Sequence, residues 1–216
     1  MQTITAAGPH SGAKIFARGD LDAAAAVAIL LHGRGATAES ILTLADEIAV
    51  QGIAYLAPQA SGRTWYPYRF LEPLERNEPW LSGALAAVEE IVTTVIARGF
   101  APDHVVMLGF SQGACLALEA GVRHPRRYGG IVGLSGGLIG PPGTEWPSPP
   151  SLSGTPVFLG CGDEDDHIPS SRVHESAKVY DQAGARVTAT IYRGMPHTVN
   201  EDEIARVHQM FADITS

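Results

Sequence analysis

The chain has 216 residues, enough for one domain around a single large core, and its 45% hydrophobic and 18% charged residues are ordinary for a soluble globular protein. A formal charge of −8, with Lys14 and Lys178 as the only lysines and the arginines scattered, excludes a nucleic-acid partner, because phosphate binding needs clustered Lys and Arg. The opening residues lack a basic stretch followed by an apolar core, and the longest apolar run, near Ala23 to Leu31, is too short for a bilayer. Neither a signal peptide nor stable membrane insertion is therefore expected.

Along the chain, short apolar runs alternate with longer helical patterns, which predicts a mainly parallel sheet covered by helices. A weak opening strand falls near Ala13–Ala17, antiparallel at an edge. Further strands are predicted at Val27–Leu31, Ile53–Ala57, His104–Phe110, Gly130–Ser135, Pro156–Cys161 and Val187–Tyr192. Helices are predicted over Ala38–Gln51, Pro79–Arg98, Gln112–His124, Ser171–Ala183 and Glu201–Ile214, with Asn77 as N-cap of the second. Two segments break the alternation. Ser61–Asn77 packs Trp65, Tyr66, Tyr68 and Phe70 among prolines, and Ile139–Pro156, with six prolines, reads as a long ordered loop. No second domain is evident, and there is little room for a lid. Cys115 and Cys161 lie inside apolar patterns and read as buried free thiols, which suits a cytoplasmic protein.

Gly-x-Ser-x-Gly occurs twice. Gly109-Phe110-Ser111-Gln112-Gly113 lies between a predicted strand and a predicted helix, the context of a nucleophile elbow. Gly133-Leu134-Ser135-Gly136-Gly137 also follows a strand, but Leu138 to Gly143, rich in Gly and Pro, cannot start a helix. Ser111 is the candidate nucleophile and Ser135 reads as structural.

Serine needs a histidine to take its proton, and that histidine needs a carboxylate to hold its tautomer. Ligands of an open parallel sheet bind outside the C-terminal ends of the strands. Among eight histidines, His197 alone sits on a Gly/Pro-shaped loop directly after a strand and before the last helix. The acid falls within Gly162-Asp163-Glu164-Asp165-Asp166-His167, among four carboxylates that composition does not separate. Adjacent residues rarely converge on one ion, so no metal is expected there. The order Ser, acid, His is that of α/β-hydrolases. Backbone N–H groups for an oxyanion are expected from Gln112, and from Arg34 in the loop His32-Gly33-Arg34-Gly35 after the first core strand.

Leu31-His32-Gly33-Arg34-Gly35, the Ser111 pentapeptide, Gly162-Asp163-Glu164-Asp165 and Gly194-Met195-Pro196-His197 together resemble the phospholipase/carboxylesterase family of α/β-hydrolases, from Val27 to Phe211. The resemblance implies the α/β-hydrolase fold, with helices on both faces of a mainly parallel sheet. It implies Asp165 as the catalytic acid, with Asp163 supporting its loop, and the amides of Arg34 and Gln112 as the oxyanion hole. The family pattern departs here at Cys161, where His is frequent, and at Asp166, where Pro is frequent. The Arg34 guanidinium is expected to point to solvent, and Trp65 and Tyr66 to line the acyl pocket. The expected activity is hydrolysis of short- to medium-chain carboxylic esters through an acyl-enzyme, with a small-molecule ester as partner and no cofactor. Alternatives are an acyl-protein thioesterase, a lysophospholipase, a lactone hydrolase, or a receptor on the same scaffold. Related proteins often form homodimers, and that expectation extends to this chain.

Overall fold

A computed structural model describes residues 2–146 and 151–216. Its strands are β1 (Gln2–Thr3), β2 (Lys14–Arg18), β3 (Ala26–Leu31), β4 (Ile53–Pro58), β5 (Val105–Phe110), β6 (Gly130–Leu134), β7 (Pro156–Gly162) and β8 (Arg186–Tyr192). Its helices are α1 (Ala38–Leu42), α2 (Leu44–Ile48), α3 (Trp80–Ala97), α4 (Gln112–Arg123), α5 (Ser170–Gln182) and α6 (Glu201–Thr215). The strands form one sheet in the order β1-β2-β4-β3-β5-β6-β7-β8. β3 to β8 run parallel, and β2 pairs antiparallel with β4.

Strand periodicity explains why the central runs are apolar throughout. All six residues of β3 are buried, and alternate side chains point to opposite faces. Val27, Ile29 and Leu31 join one core with α3, α4 and α5 through Val88, Leu116 and Tyr180. Ala26, Ala28 and Leu30 join a second core with α1, α2 and α6 through Ile41, Ile48 and Phe211. The 18-residue helix α3 is apolar and long enough to cross a membrane by length and composition alone; half of it is buried, with Leu81, Val88, Ile91 and Val95 in the first core.

Three features differ from the sequence reading. The antiparallel strand near Ala13–Ala17 is not the edge, because β1 pairs outside it. The helix expected over Ala38–Gln51 is two short ones, since the Thr43 amide and hydroxyl both bond back to the Ser40 carbonyl and close α1 early. Asn77 does not cap α3. Its buried side chain accepts from Tyr68 N and donates to Arg69 O, while the Glu78 carboxylate receives the Ser82 amide and hydroxyl in the first turn. Of the loop expected over 139–156, residues 147–150 lie outside the described residues, and the described remainder between Leu134 and Pro156 forms neither helix nor strand.

The turn from β5 into α4 is the tightest place in the fold. Ser111 sits at φ 56, ψ −120. A Cβ on Gly109 would lie 2.2 Å from the Gly113 carbonyl carbon, and one on Gly113 would lie 2.0 Å from the Leu31 carbonyl oxygen. These are backbone atoms in central elements, so they cannot yield cheaply. Gly113→Ala is expected to lower unfolding stability by about 3 kcal/mol or more; an unchanged urea midpoint would contradict this packing.

Candidate active site

Three loops at the C-terminal edge of the parallel strands meet at one point. Ser111 leaves β5 with its amide bonded to Leu134 O, and α4 starts at the next residue. His197 lies in the loop after β8 and Asp165 in the loop after β7. His197 Nε2 lies 2.8 Å from Ser111 Oγ, and His197 Nδ1 lies 2.7 Å from Asp165 Oδ2. Nδ1–H donates to the carboxylate, which leaves Nε2 as the acceptor for the serine proton. The imidazole packs between Phe110 and His167, with ring centroids at 5.0 Å and 4.7 Å.

Asp165 is the carboxylate of its cluster that faces His197, and its side chain is fully buried. Burial pushes its pKa up, but hydrogen bonds from His197 and from the amides of His167 and Ile168 outweigh this and hold it below the ordinary value. It is therefore an anion throughout the neutral range. Asp163 accepts from Gly194 N at 2.6 Å and ties the acid loop to the histidine loop. Asp166 points outward and lies 3.5 Å from His167 Nε2. Cys161 and Cys115 are buried free thiols, and burial pushes both up to about 12. The Cys161 sulfur lies 3.6 Å from Asp165 Oδ2. Ser135 is wholly buried, and no helix follows it. Its hydroxyl donates to Thr198 O at 3.4 Å, next to His197.

The amides of Arg34 and Gln112 find no acceptor among the described residues. Gln112 N opens a helix, so the dipole adds to its pull on an anion. The preceding loop is fixed by His32, a buried imidazole held neutral. Burial lowers its pKa, Nδ1–H donates to Gly33 O at 2.8 Å, and Nε2 accepts from Ala60 N at 3.0 Å.

Both side chains of this amide pair have work that sequence did not reveal. Arg34 is exposed, as expected, but its guanidinium is tied down: it donates to Thr64 Oγ1, Pro67 O and Tyr68 O. Gln112 Oε1 accepts from Trp65 N at 3.0 Å, and its Nε2 donates to Tyr66 O at 2.8 Å. Together they fasten the aromatic segment against the nucleophile turn. The two aromatic residues expected in the acyl pocket part company. Tyr66 lines the cavity of about 360 Å³ that contains Ser111 and His197. Trp65 does not: it is fully buried behind the pocket, donates from Nε1 to His32 O at 2.8 Å, and packs between His10 and His32. His10 donates from Nε2 to Trp65 O. The cavity walls are completed by Phe70, Phe110, Ile168 and Arg69.

A parallel sheet with a strand–serine–helix turn, and acid and histidine on later strand ends, defines an α/β-hydrolase fold. A profile described as Phospholipase/Carboxylesterase matches residues 15–214, and the chain belongs to that family. It is 39% identical to a phospholipase/carboxylesterase from Dyadobacter fermentans, whose crystal structure superposes with a TM-score of 0.89 over 96% of this chain and 99% of that one. Acyl-protein thioesterase 1 of Saccharomyces cerevisiae is 34% identical over 125 residues, 56% of this chain and 54% of the relative, so the match spans about half of that protein. Acyl-protein thioesterase 1 of Schizosaccharomyces pombe is 29% identical over 168 residues, 71% of this chain and 74% of the relative.

Beneath the histidine loop, Glu203 caps α6 by accepting from Asn200 N, and its other oxygen is buried without a partner. Burial raises its pKa from the ordinary 4.5 to about 7. The folded state thus holds the proton more tightly than the unfolded state, and the contribution to stability fades as pH rises from about 4.5 through about 7. Glu203→Gln is expected to gain roughly 1–3 kcal/mol on wild type at pH above 7 and almost nothing at pH below 5. Urea melts at both ends check this, and an equal difference at the two would contradict it.

Proposed function

We propose that this protein is a serine ester hydrolase acting through an acyl-enzyme, with Ser111, His197 and Asp165 as its catalytic triad. The observation that carries this reading is the continuous chain of contacts from Ser111 Oγ to His197 at 2.8 Å and on to Asp165 at 2.7 Å. His197 Nε2 takes the proton as Ser111 Oγ attacks the ester carbonyl carbon. The carbonyl oxygen becomes an oxyanion facing the Arg34 and Gln112 amides. Anionic Asp165 stabilises the imidazolium and keeps its orientation. The C–O bond to the alcohol then breaks, and His197 returns the proton to the leaving oxygen. Water repeats the sequence on the acyl-enzyme and frees Ser111.

A cavity of about 360 Å³ with apolar walls suits short to medium acyl groups. A second reading, hydrolysis of acyl thioesters, is favoured by the likeness to the two yeast proteins and uses the same steps with sulfur as leaving atom. A panel of nitrophenyl esters and acyl thioesters of rising chain length separates them.

Ser111→Ala is expected to abolish turnover and labelling by a fluorophosphonate, with the label on wild type mapping to Ser111. Asp165→Asn should keep the fold and lower kcat on the order of 10⁴-fold, because the wrong histidine tautomer is favoured. Labelling at another serine, or full activity in Ser111→Ala, would overturn the mechanism.

A further inference from the structure

The cavity above Ser111 carries charge of the opposite sign to the rest of the chain. The protein has 23 Asp and Glu against 15 Lys and Arg. The residues lining the cavity nevertheless include Arg34 and Arg69 and no Asp or Glu. The two arginines are not equivalent. The Arg34 guanidinium is committed to Thr64, Pro67 and Tyr68. Arg69 makes one long bond, 3.4 Å from Nη2 to His167 O across the cavity mouth.

Among the described residues Arg69 forms no ion pair, whereas Arg76, close in sequence, pairs with Glu72. Of the four acids of the facing loop, Asp163 accepts from Gly194 N and Asp165 faces His197, while Asp166 lies exposed beside His167 and neither it nor Glu164 forms an ion pair with Arg69. The backbone of Arg69 is held firmly, since buried Asn77 donates to its carbonyl and accepts from Tyr68 N. A fixed base therefore carries a guanidinium whose remaining donors face solvent at the cavity mouth. A planar fork of donors matches a carboxylate in two parallel hydrogen bonds.

We propose that Arg69 is a specificity-determining residue that binds a carboxylate on the substrate, so that the preferred substrates are half-esters of short dicarboxylic acids. The inference rests on the ester-hydrolase reading and names its substrate class. Phe70, Phe110 and Ile168 would flank the methylenes between the two ends, and the Ser111 turn would hold the ester. Rim charge of this sign also draws in anions against the negative field of the whole protein.

The test compares monoethyl succinate, glutarate and adipate with ethyl butyrate and valerate, which share the leaving group and lack the charge. The readout is the ratio of kcat/KM, half-ester over neutral ester, in wild type, Arg69→Met and Arg69→Lys. Wild type is expected to favour at least one half-ester, and Arg69→Met to lower the ratio about ten-fold or more, chiefly through KM. Arg69→Lys, which keeps charge but loses the fork, should fall between. Added salt should lower the wild-type ratio and leave that of Arg69→Met flat. Turnover of neutral esters with a ratio that Arg69→Met does not lower overturns the inference alone. No turnover of either series, with Ser111 inert to fluorophosphonate, overturns the ester-hydrolase reading and this inference with it.

Discussion

Everything at this site depends on a backbone that turns within one residue. Ser111 is held at positive φ, a conformation that costs an L-residue on the order of 1–3 kcal/mol and persists only when its surroundings over-determine it. Here they do. The strand β5 is hydrogen-bonded on both sides, to β3 and β6, and α4 is buried along nearly its whole length. Gly109 lets the two cross, and Gly113 lets α4 approach the end of β3, at separations that admit no Cβ. The serine side chain leaves this crossing toward the cavity beside Phe110, so its hydroxyl stands at the sheet edge above a helix N-terminus.

The same turn organises the wall of the cavity. Gln112 begins α4 and serves two ends: its amide has no acceptor among the described residues, and its side chain holds Trp65 N and Tyr66 O. Arg34 repeats the arrangement from the β3 loop, with its side chain on Thr64, Pro67 and Tyr68. Trp65 closes the circuit by donating to His32 O, in the residue just before Gly33. The aromatic segment, irregular by itself, thus gains its order from the residues that supply the amide pair. A change in that segment would be felt at the oxyanion position without touching it.

Sequence carried the chemistry further than it carried the surroundings. Ser111 and His197 were legible because each lies just past a predicted strand, the first buried and the second, β8, a half-exposed edge, and strand ends are set by main-chain pairing that periodicity reveals. Ser135 was separable from Ser111 because Gly and Pro after Gly137 forbid a helix. Asp165 needed more than composition, since Asp163 and Asp166 differ from it only in direction, and direction is fixed by the amides of His167 and Ile168. Side-chain partners distant in sequence left no local signal. Trp65 and Tyr66 are adjacent, and which of them faces the cavity depends on His10 and His32, packed from elsewhere. Asn77 had the residue type and position of a helix cap, yet the unpaired backbone of Tyr68 and Arg69 claimed it first.

The contrast between Arg34 and Arg69 follows from the same geometry. Both enter one cavity, but Arg34 leaves a loop pinned by His32 and reaches carbonyls that need donors, so its charge serves the fold. Arg69 leaves a backbone that Asn77 has already satisfied, and nothing on the protein side requires its fork. In a chain with excess acid, Arg69 still has no ion-pair partner among the described residues, and Asp163 and Asp165 of the facing loop are bonded to Gly194 N and His197. The acid loop therefore does two things. It orients His197 through Asp165, and its His167 carbonyl accepts the one hydrogen bond that Arg69 makes. Arg69 and His197 are thus both held by one short segment, through the His167 carbonyl and the Asp165 carboxylate.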